Sequence, residues 1–266
     1  MKNMLANAIG IAAVAAMSGC ATVYRVSESA PETPPATAPG RPAMRNPSVS
    51  VAVASTDSSA AGLAASLKAS LEGGFASRGF DVLLKPPADS LVSVSVSRRE
   101  SYRLADWRVY EGAADVKVND AASGRLVASQ AFKAKGERAL DAVKAEDTLK
   151  ANLVGEVDAW LAKTLPARKI PLPPGAAPHG RAMLTIMPKN RYEDHLDALR
   201  VQRRFMEAVT SHPGVVSCVL VREDPPRSAF TFSVVYEPKS FPGGLLNTIV
   251  LDSPDLGEGV ELEIAR

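Results

Sequence analysis

Residues 49–79, VSVAVASTDSSAAGLAASLKASLEGGFASRG, carry both periodicities of an α/β unit in one stretch. Val49, Val51 and Val53 alternate with Ser50, Ala52 and Ala54, the period of a strand with one apolar face. Asp57, Ser58 and Ser59 then offer side-chain oxygens to the free amides of a helix start. Leu63, Leu67, Leu71 and Phe75 recur every fourth residue, and Gly79 can end the helix. A stripe at that spacing has to bury against a sheet, so the stretch predicts a strand followed by a helix laid on the sheet that the strand belongs to.

Working outward toward the C-terminus, Phe80 to Leu84 reads as a short strand, and Val92, Val94 and Val96 alternate with Ser93, Ser95 and Ser97 as a strand wet on one face. Arg108 to Val118 and Arg125 to Ala134 flank the turn formers Asn119 to Gly124, which predicts an antiparallel hairpin. Leu149, Leu153, Val157, Leu161 and Leu165 line a second helix, widened by Val154 and Trp160. Pro166, Pro171, Pro173, Pro174 and Pro178 then break the pattern. Beyond them Met183 to Met187, a helix over residues 193–211, Val215 to Val221, the alternating Phe230, Phe232, Val234 and Tyr236, a short helix over Leu245 to Leu251, and Val260 to Ile264 follow in the order βαββαβ, the ferredoxin-like order. The expected fold class is therefore α+β, with two small α/β-sandwich domains over residues 48–165 and 180–266 and a linker at 166–179.

Toward the N-terminus the chain changes character. Residues 21–47 are rich in Pro, Ala, Ser and Thr, with Pro31, Pro34, Pro35, Pro39, Pro42 and Pro47, and hold too little apolar surface to fold alone. They are expected to form a tether reaching roughly 30 Å as a coil and about 80 Å as extended polyproline II. Before them stand Lys2, an apolar run from Met4 to Met17 interrupted by Asn7, and then Met17, Ser18, Gly19 and Cys20. The order of charge, apolar run and small residues is that of an export signal, and the run is shorter than the roughly 20 apolar residues that a spanning helix needs.

Met17-Ser18-Gly19-Cys20 resembles the lipobox of bacterial lipoproteins, with Met17 where leucine is commoner. The resemblance implies that residues 1–19 are removed and that Cys20 becomes the first mature residue, carrying a diacylglyceryl thioether and often a third fatty-acyl chain such as palmitate. Two or more chains give stable anchoring, because each buried CH₂ contributes about 0.8 kcal/mol and one chain alone is marginal. Ala21, in place of the Asp that retains enterobacterial lipoproteins in the inner membrane, favours the outer membrane. The alternative is an ordinary signal peptide with an incidental cysteine. Residues 46–166, through the opening strand, the Leu63 to Phe75 helix, the Ser123-Gly124 hairpin and the Leu149 to Leu165 helix, resemble the α/β domains of three kinds of envelope protein. These are the curli-secretion type, the penicillin-binding-protein-activator type and the N-terminal domain of the Tol-Pal translocation protein. That likeness implies fold and location, and shared folds do not transfer functions.

Charge and motif content exclude several chemistries. With 31 Lys and Arg against 29 Asp and Glu, the chain has no electrostatic reason to seek nucleic acid. Of its 2 cysteines, Cys20 is claimed by lipid and Cys218, inside the apolar run Val215 to Val221, reads as an inert core thiol, so no disulfide framework is expected. No phosphate loop, dinucleotide fingerprint or nucleophile elbow occurs. His179, His195 and His212 do not stand at metal-ligand spacings, and the Glu193-Asp194-His195-Asp197 cluster reads more simply as acid at a helix N-terminus than as a metal site. No catalytic residue, metal or cofactor is therefore expected.

One constellation stands out as a partner surface: Arg98, Arg103 and Arg108 interleaved with Tyr102, Trp107 and Tyr110, the residue types that dominate binding hot spots. The alternative is a solvated hairpin whose aromatics fold onto the core. Arg200, Arg203 and Arg204, mixed with Asp197 and Glu207, read as a wet helical face. The expected function is a non-enzymatic binding or scaffold module in the cell envelope, held to a membrane through Cys20 and serving an envelope protein or cell-wall machinery. An oligomerising component of a secretion or assembly complex and an enzyme with an unrecognised site are the alternatives; oligomeric state is left open.

Overall fold

In a computed structural model of the chain, residues 24–28, 43–84, 87–104, 107–173, 175–188, 195–227, 229–237 and 260–264 are described. Mixed α and β structure is distributed over three sheets and, among the described residues, three α-helices.

The opening stretch folds as its pattern predicts. After β1 (Tyr24–Glu28) and β2 (Met44–Arg45), β3 (Ser48–Ser55) leads through a 3-10 turn into α1 (Ala61–Ser77). The Asp57 carboxylate accepts the Ala60 amide at 3.0 Å and so caps the turn. Gly79 follows α1 at φ +96°, a left-handed conformation that costs glycine nothing. β4 (Asp81–Val82), β5 (Ser90–Leu104), β6 (Trp107–Asp120) and β7 (Leu126–Lys135) complete a five-stranded sheet in the order β4-β3-β5-β6-β7, and α2 (Ala142–Thr164) follows. β3 runs parallel to both of its neighbours, while β5, β6 and β7 are antiparallel.

Both helices lie on one face of this sheet. Leu63, Leu67, Leu71 and Phe75 of α1 and Leu149, Leu153, Val157 and Leu161 of α2 are fully buried against Val49, Val92, Val96, Val116 and Val118. Each such side chain contributes about 1.5–3 kcal/mol by leaving water. The opposite face carries the small and polar partners of the alternation, Ala52, Ala54, Ser95, Asp115 and Lys117, all exposed.

Two extents differ from expectation. α2 starts at Ala142, ahead of its apolar stripe, because Asp141 accepts the Val143 amide at 2.8 Å and sets the start. β5 does not stop at Ser97: cross-strand pairing with β6 carries it on to Leu104, past the end of the Val/Ser alternation.

The C-terminal half is built on β9 (Gly180–Pro188), α3 (His195–Ser211), β10 (Val215–Asp224), β11 (Ala229–Tyr236) and β12 (Val260–Ile264), with β8 (Ile170–Pro171) preceding them. Phe205 and Val209 of α3 pack on Leu184, Ile186, Cys218, Phe230, Phe232 and Val234. β10, β11 and β9 are neighbours in one sheet, each antiparallel to the next. The sheet holds one strand more than the βαββαβ order supplies. β1 stands between β9 and β12, antiparallel to the first and parallel to the second, so the order is β10-β11-β9-β1-β12. The short helix expected over Leu245 to Leu251 lies outside the described residues.

β1 and β2 fall within residues 21–47, the segment expected to be a tether. Composition alone could not anticipate them, since both are held by strands far away in sequence: β2 pairs with β8, Met44 opposite Pro171 and Arg45 opposite Ile170, so the two Pro-rich segments meet.

The halves touch. Val219 of β10 is buried in the core of the first half, with Val221 packed beside it. Arg181 donates to the Ala76 carbonyl at the end of α1 and, at 3.0 Å, to Ser233 Oγ. Gly73 is the contact point of α1, where a methyl group would lie 2.6 Å from the carbonyl oxygen of Leu220. Nearby, Asp81 is buried and accepts from Asn46 at 3.4 Å, with His179 Nδ1 at 3.9 Å. Burial pushes its carboxyl above the usual range, against the opposing pull of Asn46, His179, Arg181 and Arg45.

Candidate functional site

The structure does not bring the six residues singled out on β5 and β6 onto one face. Strand alternation sends Arg98 and Tyr110 toward the helices. Tyr110 is buried in the core, the Arg98 guanidinium lies 5.0 Å from its ring centroid, and Arg98 Nη1 pairs with Glu146 of α2 at 2.5 Å. These two brace the hairpin against α2, so for them the folded-inward alternative holds.

Tyr102 and Trp107 go the other way. A register shift between Glu100 and Tyr102 breaks the ladder at Ser101 and re-aims the residues beyond it. Past that bulge Tyr102 pairs with Val109, Arg103 with Arg108 and Leu104 with Trp107. Tyr102 is 39% exposed and Trp107 36% exposed, large values for side chains that usually contribute burial. Arg103 is exposed, and Arg108 is half-buried.

The group that organises this end came from outside the constellation. Arg138 places its guanidinium 5.3 Å from the Tyr102 ring centroid and 4.8 Å from that of Trp107, a cation held between two π faces. Its position is set by the backbone: Arg108 and Ala139 exchange hydrogen bonds at 2.9 and 3.2 Å, and the Gly136 amide donates to the Tyr110 carbonyl at 2.9 Å. The chain after β7 thus continues alongside β6. Gly136 permits this because a side chain there would collide with the Ala145 carbonyl and Leu149. Just beyond, Leu140 and Val143 are 59% and 64% exposed at the start of α2. The signal that sequence reading passed over is an arginine directly after a strand that pairs with the aromatic-bearing one.

Among the described residues the surface is aromatic and cationic, with no acid–base pair in it. What it can do is bury flat, rigid area with directed donors, the chemistry of recognition. Farther along the same hairpin, Arg99 donates to Glu111 Oε2 at 2.7 Å, holding that carboxyl below the usual range.

Other candidates fall elsewhere. Cys218 is buried, and desolvation pushes its thiol up to about 12, as an inert core residue requires. His179 sits beside Asp81, and His212 Nδ1 lies 2.9 Å from the Pro213 carbonyl oxygen. Among the described residues no three His, Cys, Asp or Glu side chains converge as a metal would require. The side chains of the Glu193-Asp194-His195-Asp197 cluster and Arg200 and the Met17 to Cys20 motif lie outside the described residues. No described helix is long and apolar enough to cross a membrane.

No family model matches the chain, and no curated protein matches its sequence. Solved structures match in shape over about half of it. A lipoprotein of Neisseria meningitidis is 16% identical over 44% of this chain and 99% of its own, with a TM-score of 0.32. A minor lipoprotein of Acinetobacter baumannii is 9% identical over 47% and 96%, with a TM-score of 0.32. The PelC dodecamer of Paraburkholderia phytofirmans is 18% identical over 53% and 97%, also with a TM-score of 0.32.

Proposed function

We propose that this chain is a cell-envelope lipoprotein, acylated on Cys20 after removal of residues 1–19, that binds a protein partner and catalyses no reaction. The observation that carries the binding role is the exposed Tyr102–Arg138–Trp107 stack at the end of the β5–β6 hairpin. Its cation already rests against a ring on two sides, so less side-chain entropy remains to be lost when a partner covers the group. Anchoring adds to this, because a protein confined to a membrane meets other envelope components at high local concentration. Ala21 after the lipidated cysteine favours the outer membrane. The C-terminal half is a ferredoxin-like unit enlarged by β1.

The test is cross-linking capture from envelope extract with the intact lipoprotein and its Trp107→Ala and Arg138→Ala variants. Reproducible capture by the parent and loss of at least tenfold in either variant supports the reading. Equal capture by all three removes the stack from it.

A second reading, self-assembly through the first half, has one observation in its favour. β7 is an edge strand ten residues long with Leu126 and Val127 exposed, and such an edge can pair with another copy. Light scattering on the lipid-free chain decides it: a monomer removes self-pairing.

A further inference from the structure

The anchor and the fold are closer together than a Pro-rich tether would place them. β1 begins at Tyr24, four residues after Cys20, and is a fully paired interior strand: Tyr24 stands opposite Pro188 on one side and Val260 on the other, and Glu28 opposite Leu184 and Ile264. Four residues of even fully extended chain span about 14 Å. The Pro-rich residues 29–43 therefore lie between β1 and β2, downstream of the strand that fixes the sheet.

We infer that β1 latches the C-terminal half to the bilayer surface, so that the end of the five-stranded sheet carrying Tyr24, Pro188 and Val260 faces the lipid headgroups. This rests on acylation of Cys20. That end of the sheet is defined by register. Ile186 pairs with Phe230, which places the start of β11 there, and Asp224 pairs with Ala229, which brings the Pro225–Arg227 turn to the same end. The partner of this end is a phospholipid surface, and the first half, docked through α1 and β10, stands on the second. Were β1 unpaired, the leash would instead run from Cys20 to Met44, with a root-mean-square reach of about 27 Å for a flexible coil of that length.

The experiment uses the mature lipoprotein in phosphatidylethanolamine–phosphatidylglycerol vesicles, with a donor dye on Pro226→Cys, exposed in that turn, and an acceptor on the lipid headgroups. Cys218 is buried and takes no label. Energy transfer is expected to be high and to fall severalfold in the Val26→Pro variant, since proline within a doubly paired strand removes a ladder hydrogen bond. Transfer equally low in both proteins, with Cys20 acylated by mass, overturns the latch and leaves lipidation standing. An unacylated Cys20 in the same preparation instead overturns the lipoprotein reading. If Val26→Pro does not fold, hydrogen exchange on the parent decides: amides of Tyr24–Glu28 protected as well as those of β9 support the latch, and exchange at coil rates sinks it.

Discussion

Replacing Gly73 by alanine should destabilise this protein although it sits inside a helix, and the sign of the effect tests whether the two halves are docked. On an isolated helix the change is favourable by about 0.5–1 kcal/mol, because alanine has the higher helix propensity. Here the added methyl would lie 2.6 Å from the Leu220 carbonyl oxygen, whereas ordinary contact begins near 3.4 Å. The obstacle is backbone held in the β10–β11 ladder, where Leu220 pairs with Phe232, so α1 and β10 must separate by roughly 0.8 Å. Overpacking of this kind costs about 1–3 kcal/mol, which leaves a net loss of about 0.5–2 kcal/mol. Gly155 is the internal control: it lies in α2 with nothing near its would-be methyl, so Gly155→Ala should gain about 0.5–1 kcal/mol. The assay is urea unfolding followed by circular dichroism. With a slope of about 2–3 kcal/mol/M, Gly73→Ala should lower the midpoint by about 0.2–1 M and Gly155→Ala should raise it. If both variants raise the midpoint alike, α1 does not pack on β10 and the docking of the halves is refuted.

Three further outcomes follow. The Asp89 carboxylate holds Arg45 at 2.5 and 2.7 Å and accepts from the Ser48 amide and hydroxyl at 2.7 Å; burial pushes its pKa up, but these bonds outweigh it and the net shift is down. Its stabilisation is present above the unfolded value near 3.9 and is lost as pH falls through the lower folded value. Asp89→Asn should therefore cost about 1–3 kcal/mol at pH 7, with the urea midpoints of the two proteins converging as pH falls through and below the unfolded value; a gap unchanged with pH contradicts the ion pair. The Cys218 thiol, buried and raised to about 12, should take up no thiol reagent at pH 8 until urea unfolds the chain, and fast labelling of the native protein would show the β10 core to be open. Trp107→Ala should leave the unfolding free energy from urea titration within about 1 kcal/mol of the parent, since the residue is partly exposed; a larger loss would mean that the ring serves packing.

What the sequence disclosed was what local periodicity encodes. The Val49 to Ala54 alternation, the Leu63 to Phe75 and Leu149 to Leu161 stripes and the paired apolar faces of β10 and β11 could be read directly, because each element buries one side and exposes the other. What it withheld depends on partners distant in the chain. Tyr24–Glu28 alternates only through Tyr24 and Val26, too short a pattern to announce a strand among prolines, and it is one because β9 and β12 flank it. Met44–Arg45 is a strand because Ile170–Pro171 meets it. The candidate surface was half legible. Arginine and aromatic content marked the hairpin that carries the exposed stack, but a bulge at Ser101 and the facing of Arg98 and Tyr110 toward α2 divide the set, and Arg138 joins it from 28 residues beyond Tyr110 in sequence.

The mass of the mature N-terminal peptide tests the envelope reading most directly. The chain should begin at Cys20 and carry a diacylglyceryl group on its sulfur, with the protein floating alongside vesicles in a density gradient. A polypeptide that retains Met1 to Gly19, bears no acyl mass and stays in the soluble fraction would contradict it.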